Sequence, residues 1–176
     1  MAFINIEIKA RTSKAAIIRE YLLANKADFK GTDIQTDTYF NTRNGRLKLR
    51  EGNIENNLIY YERTDQAGPK QSDFNLVPIP DAVQLKTVLN AAIGIKVTVK
   101  KKREIYFIDN VKFHLDTLDE LGGFVEIEAS NKYADKSVEQ LNEQCVFYMQ
   151  AFDIEAKDLL EQSYSDMLLE KASSEK

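Results

Sequence analysis

The sequence predicts an α+β protein in which an antiparallel sheet or barrel carries helices on its outside. Eight segments have the character of strands, most of them with apolar and polar side chains in alternation. Most of these strands follow one another directly through hairpin-like turns, and helical periodicity interrupts them only in a few places. This order is typical of sequential antiparallel pairing with helices packed outside the sheet.

The N-terminal half contains the first five of these strands. Isoleucine alternates with polar residues in the first strand, and Thr12 or Ser13 can cap a helix that runs to about residue 27. Asn44-Gly45 and Gly68-Pro69 supply turn signals between later strands. The predicted strands are 3–10, 34–41, 46–51, 57–64 and, with a more polar pattern, 70–77.

The C-terminal half contains three strands and three helices. Asp81 caps a helix that runs to about residue 92, and Gly94 ends it. Ser137 caps a helix that runs to about residue 151, and the last helix is predicted at 156–171. The predicted strands are 96–108, 111–118 and 124–130.

Length and composition limit the class of protein. The 176 residues suit one domain, 1–176, and the net charge of −4 argues against a general nucleic-acid binder. No apolar run approaches the length of a membrane span, and the N-terminus does not resemble a signal peptide, so we expect a cytoplasmic protein without a membrane partner. The single cysteine, Cys145, is expected to be a buried apolar residue.

Basic residues are concentrated on two predicted strands. Arg46, Lys48 and Arg50 share one face of strand 46–51, with leucines on the other face. In strand 96–108, Lys101 and Arg103 interrupt a face that is otherwise apolar and inward-looking. Buried charges need partners, so an acidic protein with such strands suggests a compact anionic ligand.

Two interpretations fit these charged faces. One is a surface sheet with ordinary cross-strand ion pairs. The other is a barrel with a lumen lined by both signs of charge, in which cations hold phosphate oxygens and carboxylates hold a hard divalent cation such as Mg²⁺ or Mn²⁺.

An ordered set of motifs favours the second interpretation. The set begins with Asn5-Ile6-Glu7-Ile8-Lys9 and ends with SYSDML at 163–168. Between them lie QTDTYF (35–40), GRLKLRE (45–51), IYYER (59–63), VKKKRE (99–104), HLD (114–116) and FVEIE (124–128). In these motifs the sequence resembles the CYTH family, also called triphosphate tunnel metalloenzymes. The family hallmark E-x-E-x-K is present here except that its first glutamate is Asn5.

The resemblance implies an eight-stranded antiparallel β-barrel, the triphosphate tunnel, with flanking helices. It implies that Lys9, Arg50 and Arg63 are catalytic. It also implies two binding sets. The triphosphate-binding set is Lys9, Arg46, Lys48, Arg50, Arg63, Lys70, Lys101 and Arg103. The metal-binding set, for Mg²⁺ or Mn²⁺, is Glu7, Asp116, Glu126 and Glu128.

Three functions remain open from the sequence. The motifs look closest to class IV adenylyl cyclases, which implies conversion of ATP to cyclic AMP and pyrophosphate. Hydrolysis of inorganic tripolyphosphate, of a nucleoside triphosphate or of thiamine triphosphate is the alternative, and a non-catalytic polyphosphate-binding domain is the third. In each case the partner is a small-molecule triphosphate, and the protein is expected to be a monomer or homodimer.

Three further residues have two interpretations each. His114 could be a general base, but a structural role is favoured. Tyr39 could contact the tunnel or pack in the core. For Tyr164, helix packing is favoured over a place at a tunnel mouth.

Overall fold

A computed structural model describes residues 3–63 and 65–174, without the side chain of Arg63. These residues form eight strands, four α-helices and one turn of 3₁₀-helix at Ala156–Asp158. The strands are β1 (Phe3–Arg11), β2 (Asp28–Phe40), β3 (Arg46–Glu51), β4 (Asn57–Arg63), β5 (Lys70–Pro78), β6 (Ile95–Ile108), β7 (Val111–Leu118) and β8 (Gly122–Ser130). The helices are α1 (Ala15–Ala24), α2 (Ala82–Ile93), α3 (Val138–Ala151) and α4 (Tyr164–Ser174).

The strands close into an antiparallel barrel in the order β1-β5-β4-β3-β2-β6-β7-β8. Strand β1 closes it, because Glu7 is in register with Lys70 of β5 on one side and with Glu128 of β8 on the other. The predicted α+β fold, an eight-stranded barrel with flanking helices, is confirmed.

The main apolar core lies outside the barrel, between the sheet and the helices. Ile8, Phe113 and Ile127, on the outer faces of three strands, are fully buried against residues such as Leu22 of α1 and Leu141 of α3. Full burial of such a side chain contributes roughly 1.5–3 kcal/mol. Because the outer layer supplies this stabilisation, the inner face of the same strands is free to carry charge.

A second apolar cluster lies at the end of the barrel where α4 packs. Tyr164 and Met167 of α4 are buried together with Val99, Leu118 and Phe124. Among the described residues, no helix has both the length and the apolar character needed to cross a membrane.

The last helix begins at Tyr164, so the predicted helix at 156–171 is wrong over its first part. Leu159 forms a β-bridge with Ala10, and the backbone N–H of Leu160 donates to the carbonyl of Lys9 at 2.9 Å. The chain is therefore extended along β1 before Ser163 starts α4, where Ser163 Oγ accepts from the N–H of Asp166.

Strand β2 begins at Asp28, six residues before the predicted start. Residues 28–33 pair with the far end of β6 through an irregular register around Gly31, which has a φ of 119°. Helix α1 begins at Ala15, and neither expected cap holds its first turn, because Thr12 Oγ1 accepts from the N–H of Lys14 instead.

Candidate functional site

A cavity of about 140 Å³ lies inside the barrel, and half of the residues that line it are charged. All of them except Glu55 and Lys132 come from inward-facing positions on strands, as two-residue alternation dictates. The cations are Lys9, Lys48, Arg50, Lys101, Arg103, Lys112 and Lys132. The carboxylates are Glu7, Asp37, Glu55, Glu126 and Glu128.

Asp37 holds three of these cations in one buried cluster. Its carboxylate accepts two hydrogen bonds from Arg50, at 2.8 and 2.9 Å, and one from Lys101 at 2.7 Å, with Lys48 at 3.4 Å. Burial alone would raise the pKa of Asp37, but the three cations hold it well below its usual range. Asp37 therefore keeps its charge and fixes the positions of cations from β3 and β6.

The pKa of the Lys101 ammonium is lowered by its surroundings. Burial is the main cause that lowers its pKa to about 7, and Arg103, Arg50 and Lys48 act in the same direction against the opposing effect of Asp37. An anion placed beside Lys101 would stabilise its charged form.

A second cluster joins Arg103 to Asp116 and Glu126. Arg103 donates to both oxygens of Asp116 and, at 2.8 Å, to Glu126, which also pairs with Lys9 at 2.8 Å. Tyr164 completes the cluster, because its hydroxyl donates to Asp116 at 2.8 Å and its ring lies 3.7 Å from the Lys9 ammonium. Burial and the adjacent Asp116 raise the pKa of Tyr164 well above its usual range, so this hydroxyl stays a donor.

His114 lies beside two glutamates of β8. Its Nδ1 is 3.1 Å from Glu126 and 3.7 Å from Glu128, and the three side chains each offer a ligand atom within 4.8 Å of the others. Burial lowers the pKa of His114, with Arg103 acting in the same direction, which favours the neutral ring. Its Nε2, like Oδ1 of Asn5, is buried without a hydrogen-bond partner among the described residues.

The glutamates of this cavity fit a divalent cation. Glu126 and Glu128 present carboxylate oxygens, and Glu7 lies opposite Glu128 on β1 in the same cavity. Hard cations such as Mg²⁺ and Mn²⁺ prefer such oxygen donors.

The sequence-family model of the CYTH domain matches residues 4–164 of this chain. The chain belongs to the CYTH domain family. A comparison with curated proteins gave no match.

Solved structures share the CYTH fold of this chain over nearly its whole length. The PH1012 protein of Pyrococcus horikoshii OT3 is 21% identical, with a TM-score of 0.79 over 92% of this chain and 98% of its own. A "putative adenylate cyclase" from Vibrio parahaemolyticus is 19% identical, with a TM-score of 0.75 over 94% and 97%. A "putative adenylyl cyclase" from Hippeastrum, described as having a dominant triphosphatase activity, is 13% identical, with a TM-score of 0.65 over 98% and 96%. At these identities the similarity concerns the fold.

Eight of the residues that the sequence predicted for the CYTH site line the cavity. They are Glu7, Lys9, Lys48, Arg50, Lys101, Arg103, Glu126 and Glu128. The side chain of Arg63 lies outside the described part of the structure, so its predicted role stays a prediction.

Three other predicted residues do not line this cavity. Arg46 lines a separate, smaller cavity and pairs with Asp65 and Asp166. The buried Lys70 ammonium donates to the backbone carbonyls of Gln66, Leu160 and Glu161. Asp116 has both oxygens engaged by Arg103, and Tyr164 donates to one of them. This geometry favours structural contacts for Lys70 and Asp116, and the predicted ligand roles of all three residues stay predictions.

Sequence reasoning did not assign Asp37, Glu55 or Tyr164 to the site. Tyr39 both lines the cavity and packs in the apolar cluster next to α4, so its two interpretations are compatible. Tyr164 also does both, although packing alone was favoured. Tyr164 belongs to the motif SYSDML (163–168), which was the one sequence signal for it, but only tertiary contacts bring its hydroxyl to Asp116.

Proposed function

We propose that this CYTH protein is a divalent-metal-dependent enzyme that binds a triphosphate inside the barrel and cleaves it. The observation that supports the proposal is the placement of five predicted phosphate-binding cations around one cavity together with a pair of carboxylates on β8. The cations are Lys9, Lys48, Arg50, Lys101 and Arg103. Lysine and arginine side chains bind phosphate oxygens, and arginine does so in two-point fashion.

The cations are fixed in positions where they can bind a polyanion. Arg50, Lys48 and Lys101 all pair with the carboxylate of Asp37, and of the three only Arg50 also pairs with Glu55, so positive charge is in excess at that wall. A bound triphosphate would meet fixed donors that need no rearrangement, and such donors stabilise the charge on the phosphoryl oxygens during transfer. Lys9 and Arg50, with Arg63, are the proposed catalytic residues among them.

Glu126 and Glu128, joined by Glu7, are the residues that would hold the metal. When bound, Mg²⁺ or Mn²⁺ would neutralise phosphate charge and orient the phosphate oxygens. The glutamates supply the ligands and, without the ion, Lys9 and Arg103 compensate the charge of Glu126.

The proposed reaction is cyclisation of ATP, to which the sequence motifs point. In this reaction the 3′-hydroxyl of the ribose attacks the α-phosphorus and pyrophosphate leaves. Hydrolysis is the second candidate, with water as the nucleophile. It is favoured by the similarity of the fold to the Hippeastrum protein, which is described as having a dominant triphosphatase activity.

An activity screen tests both candidates. ATP, thiamine triphosphate and tripolyphosphate are each incubated with the protein and Mg²⁺ or Mn²⁺, and cyclic AMP and phosphate are measured separately. We expect Glu126→Gln and Glu128→Gln each to lower the rate by about 100-fold, the scale on which a single charge-stabilising group acts in a transition state. The matched control is Glu62→Gln, because Glu62 is exposed on the outer face of β4. Full activity of Glu126→Gln in excess chelator would contradict the proposal.

A further inference from the structure

Glu55 bridges two walls of the barrel from a loop. It lies in residues 52–56, which join β3 to β4, and its side chain is 19% exposed inside the cavity. Its Oε2 accepts from Nη1 of Arg50 on β3 at 2.8 Å, and its Oε1 accepts from the Lys112 ammonium on β7 at 2.5 Å. Strands β2 and β6 separate β3 from β7 in the barrel, so the carboxylate crosses part of the lumen.

Asp33 anchors this loop. Its carboxylate, fully buried on β2, accepts from the backbone N–H of Ile54 at 2.9 Å and from that of Glu55 at 3.0 Å. Gly52 passes so close that a Cβ there would lie 2.5 Å from an oxygen of Asp33. Breaking buried hydrogen bonds to a charged group is costly, so Glu55 is held in place rather than free to swing out.

The position of Glu55 matters for the length of the bound ligand. Arg50 is the last inward-facing cation of β3, and Lys112 of β7 is the next cation beyond Glu55. The carboxylate of Glu55 lies between these two cations and contacts both. A further phosphate at Lys112 would therefore meet a fixed negative charge within a partly buried site, where like charges repel strongly.

We propose that Glu55 is a specificity-determining residue that ends the phosphate row at Arg50 and selects a triphosphate over longer polyphosphates. This inference rests on the proposed function, because it requires that a triphosphate binds in the same cavity. It adds a residue that limits the substrate class by repulsion, in the way that specificity is often obtained against a close competitor.

Calorimetric titration with tripolyphosphate and tetrapolyphosphate tests this proposal. Chelator is present throughout, so that neither hydrolysis nor metal binding by the ligands contributes. We expect the wild-type protein to bind the triphosphate more tightly, and Glu55→Gln, which keeps the size and removes the charge, to reduce this preference about tenfold. The ratio of the two affinities is the readout, because loss of one negative charge strengthens the binding of every anion. Glu62→Gln is the matched control, with an unchanged ratio.

A second variant moves the carboxylate without removing it. Gly52→Ala would force the loop away from Asp33, and we expect it to weaken the preference while Glu55 remains. Equal affinity of the wild-type protein for both ligands, or an unchanged ratio in both variants, would overturn the role of Glu55. Failure of the wild-type protein to bind either ligand, both in chelator and in a repeat titration with Mg²⁺, would instead contradict the proposed function.

Discussion

At the residue scale, Lys101 shows how ligand binding can change the protonation of a buried side chain. Its ammonium is 5% exposed and competes with Arg50, Lys48 and Arg103 for compensation by Asp37. Its pKa of about 7 therefore lies far below that of a free lysine, so the side chain is mostly uncharged in mildly alkaline solution. A bound polyanion would favour the charged form and raise this pKa.

We predict that triphosphate binding at pH 8 is accompanied by proton uptake. A lysine with a pKa of about 7 is about 90% uncharged at that pH, so binding should take up to about 0.9 proton. The uptake should decline below pH 7, where Lys101 is already protonated before binding. The measurement is calorimetry in buffers of different ionisation enthalpy, without metal. Lys101→Arg stays charged and should lose the uptake, so an equal proton count in this variant would contradict the prediction.

At the element scale, Asp37 connects three neighbouring strands. It lies on β2 and pairs with Arg50 and Lys48 of β3 on one side and with Lys101 of β6 on the other. Loss of its charge would remove this partner from Lys48 and Lys101 and would leave Arg50 with Glu55 alone. Removal of one partner from a buried ion pair is far more destabilising than loss of a surface pair.

Asp37→Asn should lower the free energy of unfolding by about 3–5 kcal/mol. Urea denaturation followed by circular dichroism gives this value. The control is Asp73→Asn, since Asp73 is exposed on β5, and it should change stability little. Added tripolyphosphate should restore part of the loss in Asp37→Asn, because its oxygens can replace the missing carboxylate. Equal stability of the two variants would show that Asp37 does not hold the cluster together.

Among the strands and loops, those with a clear alternation of side chains could be predicted from the sequence. Strands β3 and β7 begin and end where alternation placed them, and the inward face of Lys101 and Arg103 follows from the same alternation. The early part of β2 has no such alternation and is held by pairing with β6. Glu55 lies in a loop whose position depends on Asp33, which is distant in sequence, so no local pattern could assign it to the site.

At the scale of the whole molecule, the barrel concentrates opposite charges that only partly match. Lys101 and Arg103 share an inner face with apolar residues, and Glu126 and Glu128 lie close together on β8. Internal pairs such as Lys9 with Glu126 compensate some of this charge. A metal ion would complete the compensation of the glutamates, and a triphosphate that of the cations.

We therefore predict that Mg²⁺ and tripolyphosphate together raise the melting temperature more than either does alone. A ligand at 100 times its Kd stabilises the folded state by about 2.7 kcal/mol. For a chain of 176 residues this corresponds to a shift of about 5–10 °C. ATP should likewise stabilise more than AMP, because a monophosphate reaches fewer of the cations.

The ligand-induced rise in melting temperature should be smaller in Arg103→Ala and in Glu128→Ala. The first variant removes a cation for the triphosphate, and the second removes a carboxylate for the metal. The shift, and not the melting temperature itself, is the quantity to compare, because Arg103→Ala also leaves Asp116 and Glu126 less compensated. Thermal denaturation monitored by dye fluorescence measures it without knowledge of the reaction. Equal shifts with AMP and ATP, or an undiminished shift in both variants, would remove the physical reason for placing a metal–triphosphate complex in this barrel.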